Sequence, residues 1–210
     1  MEPREKSSAN QEITLAITGA SGAIYGISLL KRLTQHYQKI HLVISDAGRI
    51  VLATELDLKL PESPAKIQPL ISQHCGCDDS IIKVYAKENW YSPIASGSAA
   101  PRQMVICPAS MGCVSAIATG ASNNLLERAA DVVLKEKGQL IVLPREMPFS
   151  TIHLRNLLSL AEAGATIMPT CPGYYNKPEK IEDLVDFVSA RVLDHLGIEN
   201  DVMGRWGYSK

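Results

Sequence analysis

Ile13-Thr14-Leu15-Ala16-Ile17-Thr18-Gly19-Ala20-Ser21-Gly22-Ala23-Ile24-Tyr25-Gly26 begins as an apolar run that stops at Thr18 and passes into a turn of small residues. Apolar residues then recur at Ile24, Ile27, Leu30 and Leu33, which is helical spacing. The stretch reads as strand, tight turn, helix. The turn carries no large side chain before Tyr25, so backbone N–H groups there can approach an anion. The helix N-terminus adds about half a positive charge. Residues 19–22 are therefore expected to hold a phosphate. The alternative is a first strand–helix unit whose small residues serve only close packing.

The same alternation continues outward. Strands are expected at 40–45, 81–85, 103–107, 140–143 and 165–168, with helices between them at 47–56, 67–72, 110–118 and from Asn124 to Gly138. Ser150 or Thr151 caps a helix that Gly164 closes, and Pro178 opens a last long helix that Gly197 closes. In the helix after Asn124 the apolar face is Leu125, Leu126, Ala129, Ala130, Val133 and Leu134, and Asn124 with Glu127 has capping-box spacing. Arg128 and Lys135 lie two turns apart on its polar face, the usual pattern of a solvated surface. Residues 89–100 (Asn-Trp-Tyr-Ser-Pro-Ile-Ala-Ser-Gly-Ser-Ala-Ala) form a long loop, either functional or a surface loop pinned by one aromatic residue. The strands are nearly continuous in apolar residues. The fold class is therefore α/β, a mainly parallel sheet covered by helices on both faces.

With 210 residues, 46% hydrophobic and 20% charged, the chain is expected to be one domain with a real core. Residues 1–11 read as a polar, disordered lead-in without the apolar centre of a signal peptide, residues 12–197 as the domain, and 198–210 as a tail packing at the active site or a subunit interface. A formal net charge of -1 gives no support to nucleic-acid binding, and no apolar run has the length of a membrane span. A cytoplasmic protein is expected. Five cysteines, an odd number without a Cys-x-x-Cys pair, argue against a disulfide framework, and Cys75 and Cys77 read as small, partly buried loop residues.

The unusual residues cluster after strands: Thr18 to Ser21, Ser45-Asp46, Ser110-Met111-Gly112, Arg145-Glu146 and Tyr174-Tyr175. In a parallel sheet these ends share one edge, where doubly wound folds bind ligands. Hydroxyls and N–H groups at three of them suit a phosphorylated cofactor, and Arg145, Tyr174 and Tyr175 suit a second anion. The glycines fall at 19, 22 and 26, so the G-x-G-x-x-G dinucleotide fingerprint fails. Gly22-Ala23 is not the Gly-Lys-Ser/Thr of a P-loop, and no tyrosine has lysine four residues on. A flavin mononucleotide (FMN) site survives.

Residues 13–23, Ala95-Ser96-Gly97-Ser98, residues 105–112, residues 120–131, Pro144-Arg145-Glu146-Met147-Pro148-Phe149-Ser150 and Pro172-Gly173-Tyr174-Tyr175 together resemble the UbiX/Pad1 family of flavin prenyltransferases. The resemblance runs in order from Ile13 to Trp206. The related cysteine decarboxylases carry a Pro-x-Met-Asn-x-x-Met-Trp segment that this chain lacks. The resemblance implies a Rossmann-like flavoprotein fold and a dodecamer with sites between subunits. It implies transfer of the dimethylallyl group of dimethylallyl phosphate to N5 and C6 of reduced FMN. Phosphate is released, and the product, prenylated FMN, serves UbiD-type decarboxylases.

By position, the resemblance implies that Gly19, Ala20, Ser21, Ser45, Ser110, Met111, Gly112, Cys113 and Arg145 form the flavin site. Cys113 stands where the family commonly has threonine or serine, which puts a hydroxyl contact in question but not a backbone one. Lys135, Arg145, Glu146, Tyr175 and Arg191 are implied at the prenyl phosphate, and Trp206 near the prenyl pocket. Three cations suit a departing phosphate, and Glu146 suits general acid–base work. Aromatic faces at Trp90 and Trp206 suit an allylic cation without trapping it. Only Asp78-Asp79 resembles an aspartate-rich metal motif, so metal-independent chemistry is expected.

Overall fold

A computed structural model of the chain describes residues 11–203. Six parallel strands form one sheet in the order β3-β2-β1-β4-β5-β6: β1 Glu12–Ile17, β2 Lys39–Ile44, β3 Ile82–Tyr85, β4 Gln103–Ala109, β5 Gln139–Pro144 and β6 Thr166–Ile167. The order reverses between β1 and β4, and that reversal opens a crevice at the strands' C-terminal ends.

The period-two alternation of each strand splits the core into two layers. Ile13, Leu15, Ile17, Leu42, Val105 and Cys107 face one layer. It is covered by α1 (Ala23–Leu33), α2 (Asp46–Leu56), α3 (Pro64–Cys75) and α7 (Ile181–His195). Ala16, Val43, Met104, Ile106, Leu140 and Val142 face the other, covered by α4 (Met111–Ala118), α5 (Leu125–Lys135) and α6 (Thr151–Glu162). Each large side chain fully buried in this way contributes about 1.5–3 kcal/mol. The α5 face expected from the sequence is the buried one, with Leu134 half-buried at its margin.

Several local expectations take a different form. α3 runs from Pro64 through Pro69 to Cys75, longer than 67–72, and Cys75 closes that helix, buried, rather than lying in a loop. α7 starts at Ile181 with Lys180 as N-cap, not at Pro178, because the Asp183 carboxylate accepts the N–H groups of Glu179 and Lys180. Ser150, not Thr151, caps α6. The loop 89–100 is pinned by Ile94, fully buried in a single 3-10 turn, while Trp90 and Tyr91 are exposed. Arg128 and Lys135 do not project freely into solvent. Arg128 donates to the Ala95 carbonyl (3.1 Å), and Lys135, paired with Glu136, lies against Gly97.

Gly26 brings α1 against β4, since a Cβ there would stand 2.5 Å from the Cys107 carbonyl oxygen. Ile198 and Val202 of the tail pack on the first layer. Among the described residues no helix is long and apolar enough to cross a membrane.

Candidate functional site

The strand ends are stitched together by a few hydrogen bonds. Thr18, 2% exposed, donates its hydroxyl to the Pro108 carbonyl (2.7 Å) and accepts the Ser110 N–H (2.7 Å). This fixes the end of β1 to the end of β4. The Ser45 N–H donates to the Ile17 carbonyl (3.0 Å), which brings in β2. The Arg145 N–H donates to the Ala109 carbonyl (3.2 Å), and its Nε donates to the Ser21 carbonyl (2.9 Å), so the loop after β5 reaches the turn after β1. Buried polar groups of this kind are costly unless paired, and these pairings set the relative height of the strand ends.

Between β1, β2 and β4 lies a cavity of about 280 Å³. Gly19, Ser45, Ser110 and Cys113, all implied flavin residues, line it. Three helices begin at its wall: α2 capped by Ser45, α4 by Ser110 and α5 by Asn124, each through a side-chain oxygen accepting a backbone N–H. Their dipoles point positive ends at one small volume. Gly19 is required sterically, because a Cβ there would stand 2.3 Å from the Ala47 Cβ. Gly112 meets nothing within 4 Å, so space does not demand glycine there. Ala20 and Met111 are buried. The Cys113 N–H donates to Ser110 Oγ at 3.4 Å, a long bond, and burial followed by the nearby Glu127 pushes its thiol up to about 12. Neutral at physiological pH, this thiol adds no negative charge to the cavity.

The turn after β1 differs from the expectation of an open anion cradle. Gly22, at φ 102°, sits in the left-handed region and is the N-cap of α1. The N–H groups of Gly22 and Ala23 both donate to the Glu55 carboxylate, at 2.9 Å and 2.8 Å. The chain thus supplies its own anion to the α1 N-terminus, from the last turn of α2. Burial opposes the charge on Glu55, but hydrogen bonds from Ser21, Gly22 and Ala23, with Arg145 nearby, outweigh it and hold the carboxyl below its usual range. A depressed folded pKa stabilises above the ordinary carboxyl value and is lost as pH falls through the folded one. Glu55→Gln is expected to lower stability by about 0.5 kcal/mol at pH 7, allowing for solvent screening, with the difference vanishing in acid. Urea melts at pH 7 and pH 3 measure it; an equal difference at both values would contradict this account.

The second group of implied residues is only partly assembled. Arg145 and Glu146 follow β5, both half-buried; Arg145 reaches Ser21, and Glu146 accepts the Met147 N–H (3.1 Å). Tyr175 packs edge-on against Phe187 of α7, and Arg191 lies one turn further along α7, paired with Asp194 (2.7 Å). The loop after β6 approaches α1. Burial, then Cys107, Cys171 and Tyr174, push the Tyr25 hydroxyl up. Lys135 is elsewhere: it ends α5 at the edge where β5 begins, opposite to Arg145. Trp90 is on the 89–100 loop, 45% exposed, and Trp206 lies outside the described residues.

Sequence reasoning missed Glu55, which lies 33 positions from Gly22 and has no local signal. It also missed Lys87, Asn124 and Glu127 as cavity residues. Lys87 follows β3 almost directly, and extending the strand-end rule to that strand would have found it.

A family model described as Flavoprotein matches residues 1–193, the class of protein that this sheet edge and its cavity define. The chain is 52% identical over 200 residues to the flavin prenyltransferase UbiX of Pseudomonas aeruginosa, covering 95% of this chain and 96% of that one. Among solved structures it resembles AnUbiX (PadA1) in complex with FMN and dimethylallyl pyrophosphate, with a TM-score of 0.83 and 34% identity over 95% of this chain and 99% of that one. A dodecameric FMN-dependent UbiX-like decarboxylase from Escherichia coli O157:H7 gives a TM-score of 0.81 and 36% identity over 94% and 100% of the two chains. The chain belongs to the UbiX family of flavin prenyltransferases.

Proposed function

We propose that this chain joins the dimethylallyl group of dimethylallyl phosphate to reduced FMN, releasing phosphate and prenylated FMN. The observation that carries this reading is the juxtaposition on one sheet edge of a cavity lined by capping hydroxyls and a guanidinium, Arg145, fixed to Ser21 beside it. The donor set fits a phosphate ester: Ser45, Ser110, the backbone of Gly19 and the start of α4 offer neutral donors and helix dipoles. When bound, reduced FMN supplies the electron-rich N5 and C6 that accept the prenyl unit. The chain's residues bind and orient. Arg145, Lys135, Arg191 and the Tyr175 hydroxyl hold the phosphate that departs from the allylic carbon, and each such contact contributes about 2.7–4 kcal/mol in a water-poor site. Glu146 holds the proton exchanged with that phosphate. Trp90 and Trp206 present aromatic faces to the allylic cation.

Within one chain Lys135 and Arg145 lie at opposite edges of the sheet, so the complete site takes Lys135 from a neighbouring copy. Met147, Ile152, Leu154 and Leu158 are exposed, from 54% to 88%, along the β5–α6 loop and α6. This apolar surface suits burial between subunits of a dodecamer. The product passes to a UbiD-type decarboxylase, and the protein works in the cytoplasm as one domain, residues 12–197, preceded by a lead-in and followed by a tail that packs at the active site or a subunit interface.

The test is anaerobic incubation of the protein with reduced FMN and dimethylallyl phosphate, followed by mass spectrometry. A flavin heavier by one C5H8 unit is expected. Unmodified flavin after prolonged incubation would overturn the reading, and carbon dioxide released from an acid by this chain alone would favour a decarboxylase.

A further inference from the structure

One cation among the described residues lining the 280 Å³ cavity, Lys87, has no part in the site described so far. Its backbone is fixed: its carbonyl accepts the N–H of Leu125, the first residue of α5, at 2.7 Å. Its ammonium is paired with Asp46 Oδ2 at the start of α2, with Glu88 further off at 3.7 Å. Asp46 has a second partner on its other oxygen, Arg49 Nη2 at 3.1 Å, and Arg49 is itself steadied by the Pro61 carbonyl. Lys87 can therefore leave Asp46 without orphaning a carboxylate. The other acid on the cavity wall, Glu127, is already engaged by the Asn123 N–H (2.8 Å) and the Asn124 side-chain amide (2.7 Å).

From this arrangement we infer that Lys87 is the phosphate-specific ligand of the flavin cavity. It is held by Asp46 in the free protein and transferred to the flavin's phosphate on binding. The inference rests on the flavin reading above. A phosphate monoester carries a charge of about -1.5 to -2 at pH 7, and the hydroxyls and N–H groups around the cavity supply no full positive charge to meet it. Asp46 competes for the same ammonium, so the pair discriminates: only a ligand more strongly anionic than one carboxylate draws Lys87 away. Riboflavin, which has the same ring and ribityl chain without phosphate, gains nothing from Lys87.

The experiment titrates the parent protein, Lys87→Met, Lys87→Arg and Asp46→Asn with FMN and with riboflavin, following flavin fluorescence at low and high salt. Lys87→Met is expected to weaken FMN binding by about ten- to a hundredfold and to leave riboflavin binding within about twofold. Lys87→Arg keeps most of the preference for FMN. Asp46→Asn tightens FMN binding, because the competing carboxylate is gone. The preference for FMN falls with salt in the parent but not in Lys87→Met. An equal loss of FMN and riboflavin affinity in Lys87→Met would make Lys87 merely a strap between α2 and α5 and overturn the inference. So would an unchanged ratio in a folded variant. A parent protein that binds neither flavin overturns the flavin reading itself, and this assignment with it.

Discussion

Thr18→Val is expected to cost about 2–3 kcal/mol of folding stability and to weaken flavin binding along with it. The substitution keeps the shape of the side chain and removes one oxygen. That oxygen donates to the Pro108 carbonyl and accepts the Ser110 N–H in a site 2% exposed. The Pro108 carbonyl retains a weaker bond from the Thr18 N–H (3.3 Å), but the Ser110 N–H is left without a partner. A buried donor stranded in this way costs about 1–3 kcal/mol. Ser110 also caps α4 on the wall of the cavity, so its displacement moves a donor that faces the ligand. Urea denaturation of the parent, Thr18→Val and Thr18→Ser checks this. The serine variant keeps the oxygen and is expected to recover most of the loss. A valine variant within about 0.5 kcal/mol of the parent would mean that β1 and β4 hold their relative height without this bond.

The second large effect concerns Lys135 and Arg145. Each alone, changed to alanine, is expected to lower turnover by about a hundred- to a thousandfold, the size of one lost electrostatic contact to a departing oxyanion. The informative experiment combines them. Lys135 ends α5 on the edge where β5 starts, and Arg145 follows the other end of β5. If Lys135 acts across a subunit boundary, co-expression of Lys135→Ala and Arg145→Ala chains makes mixed oligomers. At equal mixing about a quarter of the sites then carry both native residues. Activity well above either variant alone is expected. No recovery in verified mixed oligomers would place both residues in one chain's site and contradict the assembly proposed for this enzyme.

The layered α/β architecture was legible because its signals are local and periodic. Continuous apolar strands, helical spacing in α1 and α5, and the caps at Asn124 and Ser150 each state their own secondary structure within a dozen residues. Where the local signal was weaker, the boundaries shifted. The helix expected at 67–72 starts earlier, because Pro64 sits at the first position of α3, where no N–H is needed, and the helix carries Pro69 within it. As a surface loop, residues 89–100 were expected to be pinned by one aromatic residue, yet the pin is Ile94, because burial follows the direction the chain turns rather than side-chain size.

The site divides along the same line. By itself the sequence determined which strand ends carry hydroxyls, small residues and Arg145. A parallel sheet gathers such ends on one edge whatever the order of its strands. Only the tertiary structure decided how they meet. It opened the cavity where the strand order reverses, between β1 and β4. It placed Ser110 on Thr18, Arg145 on Ser21, and Lys87 on the wall of the cavity that Gly19 also lines. It also gave the α1 N-terminus to Glu55, so the turn after β1 is locked by the chain's own carboxylate while the cavity beside it takes the donors of α2, α4 and α5. Such pairings join residues 32 to 124 positions apart. Periodicity reports only on neighbours in the chain, whereas a hydrogen bond depends on distance in space, which is set when the two core layers pack.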